Sequence, residues 1–551
     1  MSGVLISEAV GKALADHGVE VVFGLMGSGN LAVTNALRDA GATFYAARHE
    51  GGAICMADGY GRVSGKVAVC SVHQGPGLTN AVSGLTEAAK SRTPVVLLSA
   101  DTPAAALRSN FRIDQDALVE SVGAVAERVH GAATALDDVA RAVRRARVER
   151  RAVVLMLPLD VQAMEAPDAA SLAPAAPELA APRPTDAVIG RVAGVLASAR
   201  RPAIIGGRGA VLGCAREPLR RLGELTGALL ATSAVGNGLF AGDPFDVGIS
   251  GGFSSPLAAR LLGEADVVVA FGATLNQWTT RHGALIGPGA QVIQVDLDEE
   301  AIGAHRFVDL GVVGDTAATA QALVAELEAR GVRNSGVRTE ALARQIRTHR
   351  WRDEPYEESG ADGVLDPRTL SIALDDLLPA ERTVVVDSGH FMGYPSMYLR
   401  VPDAAGFVFP QAFQCVGLGL GNAIGAAVAR PDRLTVAALG DGGALMALSE
   451  FETLGRLGLP MLVVVYNDAA YGADVHHFRA LGQSVDLAQF PDTDFAAIAR
   501  GAGCGGVTVR SAGELGAVRA WLAERDGPLV IDAKVDPNIC AEWLEEAFRG
   551  H

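Results

Sequence analysis

Two aspartates, Asp441 in Gly440-Asp441-Gly442-Gly443 and Asp468 directly after Asn467, carry oxygen ligands of the kind a hard divalent cation takes. Mg²⁺ is held by one or two carboxylates together with the oxygens of a phosphate-bearing partner. The glycines beside Asp441 let the backbone come close to such a phosphate. This chemistry requires both carboxylates at the mouth of a sheet, and the pattern between them provides that. Leu434–Leu439 is a short apolar run, and Leu445–Leu457 repeats apolar residues at helical spacing. Gly458-Leu459-Pro460 stops that helix, and Met461–Tyr466 is a β-branched run of buried-strand type. Strand, turn, helix and strand in that order bring both aspartates to the carboxyl ends of two parallel strands, where open α/β sheets bind ligands.

The rest of the chain bounds what this site serves. At 551 residues it exceeds one core, and the length prior is about three domains. A net charge of −16 argues against nucleic-acid or anionic-membrane binding as partners. No apolar run reaches the ~18 residues that span a bilayer. Met1-Ser2-Gly3 leads straight into an amphipathic helix at Ile6–Ala15, so the reading is a cytoplasmic protein without a signal peptide. The six cysteines are scattered without metal-ligand spacing, which fits reduced thiols.

Strand and helix patterns alternate in three blocks, which predicts an α/β fold of three doubly wound parallel-sheet domains at 1–164, 185–335 and 367–551. An Ala/Pro-rich linker at Glu165–Pro184 and a polar, Arg-rich and acidic crossing at Arg330–Asp366 separate them. The middle block has strand candidates at Pro202–Ile205, Val267–Phe271 and Gln291–Val295. The first and third blocks share an architecture. Gly75-Pro76-Gly77-Leu78-Thr79-Asn80-Ala81 also echoes Gly417-Leu418-Gly419-Leu420-Gly421-Asn422-Ala423 at five of seven positions, each before an Ala-rich helix.

Twenty-four residues separate Gly442 from Asn467. Together with Arg48-His49-Glu50-Gly51-Gly52-Ala53, continuing to Met56-Ala57-Asp58-Gly59-Tyr60, this resembles the thiamine-diphosphate (ThDP) enzymes related to acetolactate synthase, benzoylformate decarboxylase and pyruvate oxidase. The resemblance covers essentially the whole chain. It implies a pyrimidine domain, a central domain and a diphosphate domain, with ThDP and Mg²⁺ as cofactors. By position, Asp441 and Asp468 would ligate Mg²⁺ through side chains and Ala470 through its carbonyl, with Gly440, Gly442, Gly443 and Tyr471 beside the diphosphate. Relatives usually carry Asn where this chain has Asp468, which adds one negative charge while keeping a hard oxygen donor. Glu50 would face the aminopyrimidine ring and hydrogen-bond its N1′, the acid–base contact that activates the thiazolium. Gly389, His390 and Phe391 fall where relatives hold the diphosphate. Gln414 would offer a backbone carbonyl to the ring amine. Val416 stands where relatives place a larger apolar wedge that bends the cofactor.

The resemblance implies decarboxylation of a 2-oxo acid and leaves the fate of the acyl anion open. Asp114-Gln115 and the ending Gly314-Asp315 lean toward acetolactate synthase, that is, ligation to an aldehyde or ketone acceptor, with Gln115 either lining the pocket from a neighbouring subunit or serving as a polar helix-start residue. Ser28 in Phe23-Gly24-Leu25-Met26-Gly27-Ser28 and His73 in Val72-His73-Gln74-Gly75 fall where benzoylformate decarboxylase has active-site residues. They favour a decarboxylase or C–C lyase, His73 as a proton shuttle. A non-catalytic paralogue is the third alternative, opposed by the intact Glu50 and Asp441. Gly206-Gly207-Arg208-Gly209 follows a strand and leaves FAD in the central domain open. The adjacent His476 and His477 lack ligand spacing. The family arrangement implies a homodimer or homotetramer with active sites at the subunit interface.

Overall fold

β-branched and alanine-rich runs, buried on both faces, build three six-stranded sheets in which every pairing is parallel. The computed structural model describes residues 3–167, 179–333, 336–358 and 363–549. The middle of the expected linker (168–178) and parts of the second crossing (334–335 and 359–362) lie outside the described residues. The remainder of that crossing is not merely polar chain, since Glu340–Thr348 forms a helix capped by the Thr339 side chain.

The first sheet comprises β1 (Val21–Gly24), β2 (Thr43–Ala46), β3 (Ala68–Val72), β4 (Val95–Asp101), β5 (Val125–Arg128) and β6 (Ala152–Pro158), in the order β2-β1-β3-β4-β6-β5. The central sheet comprises β7 (Pro202–Gly206), β8 (Leu229–Thr232), β9 (Asp246–Ile249), β10 (Val267–Phe271), β11 (Gln291–Asp296) and β12 (Leu310–Val313), in the order β12-β11-β10-β7-β8-β9. The third comprises β13 (Arg382–Val386), β14 (Phe407–Val408), β15 (Leu434–Gly440), β16 (Leu462–Asn467), β17 (Gly505–Val509) and β18 (Leu529–Lys534), in the order β14-β13-β15-β16-β18-β17. Counted from its own first strand, the third sheet repeats the order of the first, and the central sheet does not.

That shared order corrects the expected sequence echo. Gly75 follows the third strand of its sheet, whereas Gly417 follows the second strand of its own. The true counterpart of the helix Gly419–Ala429 is Glu50–Ser64, and these two helices pack against each other. Their backbones touch at glycines: a Cβ on Gly425 would fall 1.9 Å from the Met56 carbonyl oxygen, and one on Gly59 2.1 Å from that of Asn422. Through this contact the inner faces of the first and third sheets share one core, which runs from Phe23, Cys70 and Leu97 to Val385, Ala437 and Val463. Each fully buried Val, Leu or Phe in it contributes about 1.5–3 kcal/mol.

One element differs from the pattern reading. The expected single helix over Leu445–Leu457 is two helices, Asp441–Met446 and Ser449–Leu457. Helix starts at Asp441 itself, so the first turn belongs to the ligand loop, and the break leaves Leu445, Met446 and Leu448 exposed. Among the described residues, no helix is long and apolar enough to cross a membrane.

Candidate active site

Strand order reverses between β1 and β3 in the first sheet and between β13 and β15 in the third, and the carboxyl ends of those strands are the natural crevices. In the third sheet the crevice is acidic. Asp387 follows β13, Asp441 follows β15 and Asp468 follows β16. Asp441 and Asp468 are hydrogen-bonded to each other and largely buried. Burial raises both carboxyls, and the charge of Asp441 raises Asp468 further. The pair therefore holds a proton between its members unless a cation replaces it. Asp468 also accepts the Ala470 N–H at 3.2 Å, and Ala469 between them sits at φ +54°. That left-handed conformation turns the chain sharply behind the aspartate, a strain common at ligand sites.

The backbone around the pair is kept bare. A Cβ on Gly443 would lie 2.3 Å from the Asp387 carboxylate, one on Gly442 2.7 Å from the Tyr471 ring, and one on Gly440 3.0 Å from Phe391. A proton-sharing pair of hard donors beside a glycine-lined helix start fits a divalent cation and a diphosphate. Among the described residues, no group of three or more His, Cys, Asp or Glu side chains could hold a metal.

Asp387 was not found from the sequence, although it obeys the same rule as Asp441, a carboxylate at the end of a parallel strand. It is fully buried and accepts N–H groups from Ser388 at 2.9 Å, Gly417 at 3.0 Å and Gly419 at 3.2 Å. Burial pushes its carboxyl up to about 6 against those bonds. Asp387 thereby anchors the far end of the loop that carries Gln414 and Val416. Gln414 is itself held at φ +57°, a conformation a non-glycine residue adopts only when its surroundings impose it. His390 is buried, and its Nε2 accepts the Ala541 N–H at 2.8 Å, so the proton resides on Nδ1. Burial and then the neighbouring His476 ring hold His390 down to about 3, a neutral imidazole at any working pH.

The first sheet presents different chemistry at the equivalent crevice. The loop after β1 is folded by Asn30, whose Oδ1 accepts the Gly27 N–H at 2.9 Å and whose amide donates to Leu25 and Ser71. This sets Ser28, exposed, between two glycines that both abut His73. His73 Nδ1 accepts the Gly29 N–H at 3.3 Å, leaving the proton on Nε2. Burial lowers its pKa more than the charge of Glu50 raises it. Glu50 begins the helix Glu50–Ser64 and is 8% exposed, with Asn80 donating to its Oε2 at 3.0 Å. Glu50, His73 and Ser28 thus form one group.

Gln115 stands apart from them in kind. It is buried, its Oε1 accepts the Gly75 N–H at 3.1 Å and the Ser99 hydroxyl at 3.2 Å, and its Nε2 donates to Ala100 at 3.1 Å. These bonds tie the amide to the Gly75 turn and to the end of β4, with one Nε2 hydrogen left over.

Within this chain neither the Glu50 group nor the aspartate pair lines the main cavity. A cavity of about 1,710 Å³ reaches Ser388, Gly389, Gln414 and Val416, and Glu50, Ser28 and His73 are not among its lining residues. Phe253, Trp278, Phe409 and Trp543 meet edge-to-face in its wall region, with ring centroids 5.1–5.8 Å apart. The cavity also reaches the central sheet's own crevice between β7 and β10, at Arg208, Gly209, Gly272 and Thr274.

Comparison with known proteins agrees with this geometry. Residues 5–123 match the thiamine pyrophosphate enzyme N-terminal TPP binding domain, 189–323 the central domain and 387–533 the C-terminal TPP binding domain. The chain is 30% identical to a sulfoacetaldehyde acetyltransferase of Rhodobacter capsulatus, over 98% of this chain and 96% of that one. It is also 30% identical to an acetolactate synthase large subunit of Parasynechococcus marenigrum, over 96% and 87% of the two chains. The solved structure of a thiamine diphosphate-dependent 4-hydroxybenzoylformate decarboxylase of Rhodococcus jostii RHA1 shares the fold, with a TM-score of 0.82 at 22% identity over 97% of this chain and 99% of that one. The chain belongs to the thiamine pyrophosphate enzymes and is a ThDP-dependent enzyme.

Proposed function

We propose that the protein decarboxylates a 2-oxo acid and ligates the acyl anion to a second carbonyl compound, as the name acetolactate synthase describes for one of its relatives. The observation that carries this reading is the cavity beside Gly389, Gln414 and Val416. It opens beside the expected cofactor contacts and runs on toward the central sheet at Arg208 and Gly272, which leaves space beyond the cofactor for a donor and an acceptor. ThDP supplies the carbon nucleophile. Asp441, Asp468 and the Ala470 carbonyl would hold Mg²⁺, while Gly389 and Gly440–Gly443 admit the diphosphate. Glu50 would hold a proton at the pyrimidine N1′, and the Gln414 carbonyl would accept from the ring amine. Val416 would support the bend between the two rings.

The family arrangement would bring Glu50 of one chain to the Asp441 group of another, so we assign each complete site to two chains of a homodimer, or of a homotetramer built from such pairs. The exposed Leu445, Met446 and Leu448, beside the ligand loop, support a surface that another subunit covers.

The second reading is a decarboxylase or C–C lyase, supported by the adjacency of Ser28 and His73. Product analysis decides between them. Pyruvate supplied with and without an aldehyde acceptor should give a ligated 2-hydroxy ketone or acid product on the first reading. Release of free aldehyde alone, at the same rate with or without acceptor, would replace it by the second.

A further inference from the structure

Two buried carboxylates that lie outside the site hold its two key segments in a reciprocal way. Glu450, in the helix Ser449–Leu457 of the third block, is 1% exposed and accepts the N–H groups of Arg48 at 3.2 Å and His49 at 2.9 Å, the two residues before Glu50. Glu87, in the helix Val82–Lys90 of the first block, is fully buried and accepts the N–H groups of Ala412 at 3.2 Å and Phe413 at 2.7 Å, the two residues before Gln414. Each glutamate sits in the second helix after the third strand of its sheet. Each clamps two consecutive N–H groups of the other sheet's segment, and each clamped segment follows that sheet's second strand. Arg62 offsets the charge of Glu87, donating at 2.6 Å, while the Thr453 hydroxyl donates to Glu450 at 2.6 Å.

We propose that Glu87 and Glu450 are paired positioning residues: each fixes, from the opposite sheet, the backbone whose next residue addresses the aminopyrimidine ring. Glu87 gives the two N–H groups separate oxygens, whereas Glu450 takes both on Oε1 and the Arg48 N–H on Oε2 as well, so an amide in either place would set an N–H donor against a backbone N–H. The Glu87 clamp ends at the residue before Gln414, whose φ of +57° glycine alone adopts without cost. With Asp387 fixing Gly417 and Gly419, the Gln414–Val416 stretch is suspended between two buried carboxylates from different sheets. The inference rests on the assignment of Glu50 and Gln414 to the pyrimidine ring made above.

The test compares Glu87→Gln, Glu450→Gln, Glu50→Gln and Asp375→Asn in the full chain loaded with ThDP and Mg²⁺. Asp375 is an equally buried carboxylate, paired with Arg352, Arg382 and Arg400 and assigned no part in the site, so it reports a general loss of rigidity. The readouts are deuterium exchange at C2 of bound ThDP, the ThDP dissociation constant and the melting temperature. Glu87→Gln and Glu450→Gln should slow exchange by about 10- to 100-fold, the scale of a small misplacement, with ThDP affinity little changed. Asp375→Asn should lower the melting temperature and leave exchange alone. Adding Gln414→Gly to Glu87→Gln should restore part of the lost rate. Should the Gln variants fail to fold, Glu87→Asp and Glu450→Asp keep the charge, withdraw both oxygens by one methylene, and carry the same expectation.

Wild-type exchange in either clamp variant, or slowed exchange in Asp375→Asn, overturns the proposal. If Glu50→Gln slows exchange and the clamp variants do not, the proposal falls alone. If Glu50→Gln also exchanges at the wild-type rate, the assignment of Glu50 falls with it.

Discussion

The first and third sheets are the same scaffold put to opposite uses. Both run in the same strand order, both open a crevice between their first and third strands, and both send a helix from the second strand into the shared core. At the crevice of the third sheet stand Asp387, Asp441 and Asp468, with bare glycine backbone around them. At the crevice of the first stand Ser28 and His73, with Glu50 nearby at the helix start. An acidic, glycine-lined mouth suits holding a cation and a diphosphate. A mouth with one carboxyl and one neutral imidazole suits moving protons. On the proposed assignment, holding falls to one copy of the frame and proton transfer to the other, while the Glu87 and Glu450 contacts tie the two copies together.

Substitutions in the two sheets should separate turnover from affinity. The largest effect is expected at Glu50: Glu50→Gln should lower turnover by about 10²–10⁴, the usual cost of losing an acid–base group, with ThDP affinity nearly unchanged. A loss confined to affinity would erase the distinction between the sheets. Asp441→Asn should show the converse, weakening Mg²⁺-dependent ThDP binding by at least the ~10–100-fold that even supporting residues of metal sites command, and titration calorimetry reads it directly.

The aspartate pair also predicts a pH dependence. Both carboxyls are raised in the fold, so the folded, metal-free chain binds more protons than the unfolded one. Its stability should therefore fall as pH rises from the usual carboxylate value near ~4 to about 8, the raised value of Asp468. The melting temperature without Mg²⁺ should drop across that window, and added Mg²⁺ with ThDP should offset the drop. Asp468→Asn should flatten the profile and stabilise the metal-free protein at pH 8 by about 1–3 kcal/mol, the scale of relieving one uncompensated buried group. A profile that rises with pH would contradict the shared proton. The smallest expected effect is at the seam between the sheets. Gly425→Ala should cost about 1–3 kcal/mol in chemical denaturation, the usual range for overpacking, and leave turnover per folded molecule unchanged.

Much of this was legible in the sequence because the signals are local. Gly-Asp-Gly with Asn-Asp, the Arg-His-Glu run and the β-branched strands each announce themselves within a few residues. The family and the three parallel sheets follow from them. What escaped notice depends on distance along the chain. Asp387 reads as an ordinary residue after a strand until Gly417 and Gly419 fold back onto it. Glu87 and Glu450 carry one weak signal, an acid on the buried face of an amphipathic helix, and their meaning lies in segments hundreds of residues away. Gln115 reads equally as a pocket residue and as a polar helix start, and its bonds to Gly75, Ser99 and Ala100 come from segments the sequence does not place beside it. The repeat of Gly-rich heptapeptides misleads, because two glycine-rich helix starts look alike wherever they fall in the strand order.

The glycine seam has a mechanical consequence. Where a Cβ would fall 1.9 Å from a carbonyl oxygen, two helices cannot slide or roll without first separating, and separating them would open a continuous core. The first and third sheets of one chain therefore behave as a single rigid block. The central sheet is tied on differently: Ala234, Ile249 and Phe253 join the outer core of the third sheet, while one face of the central sheet closes on a core of its own.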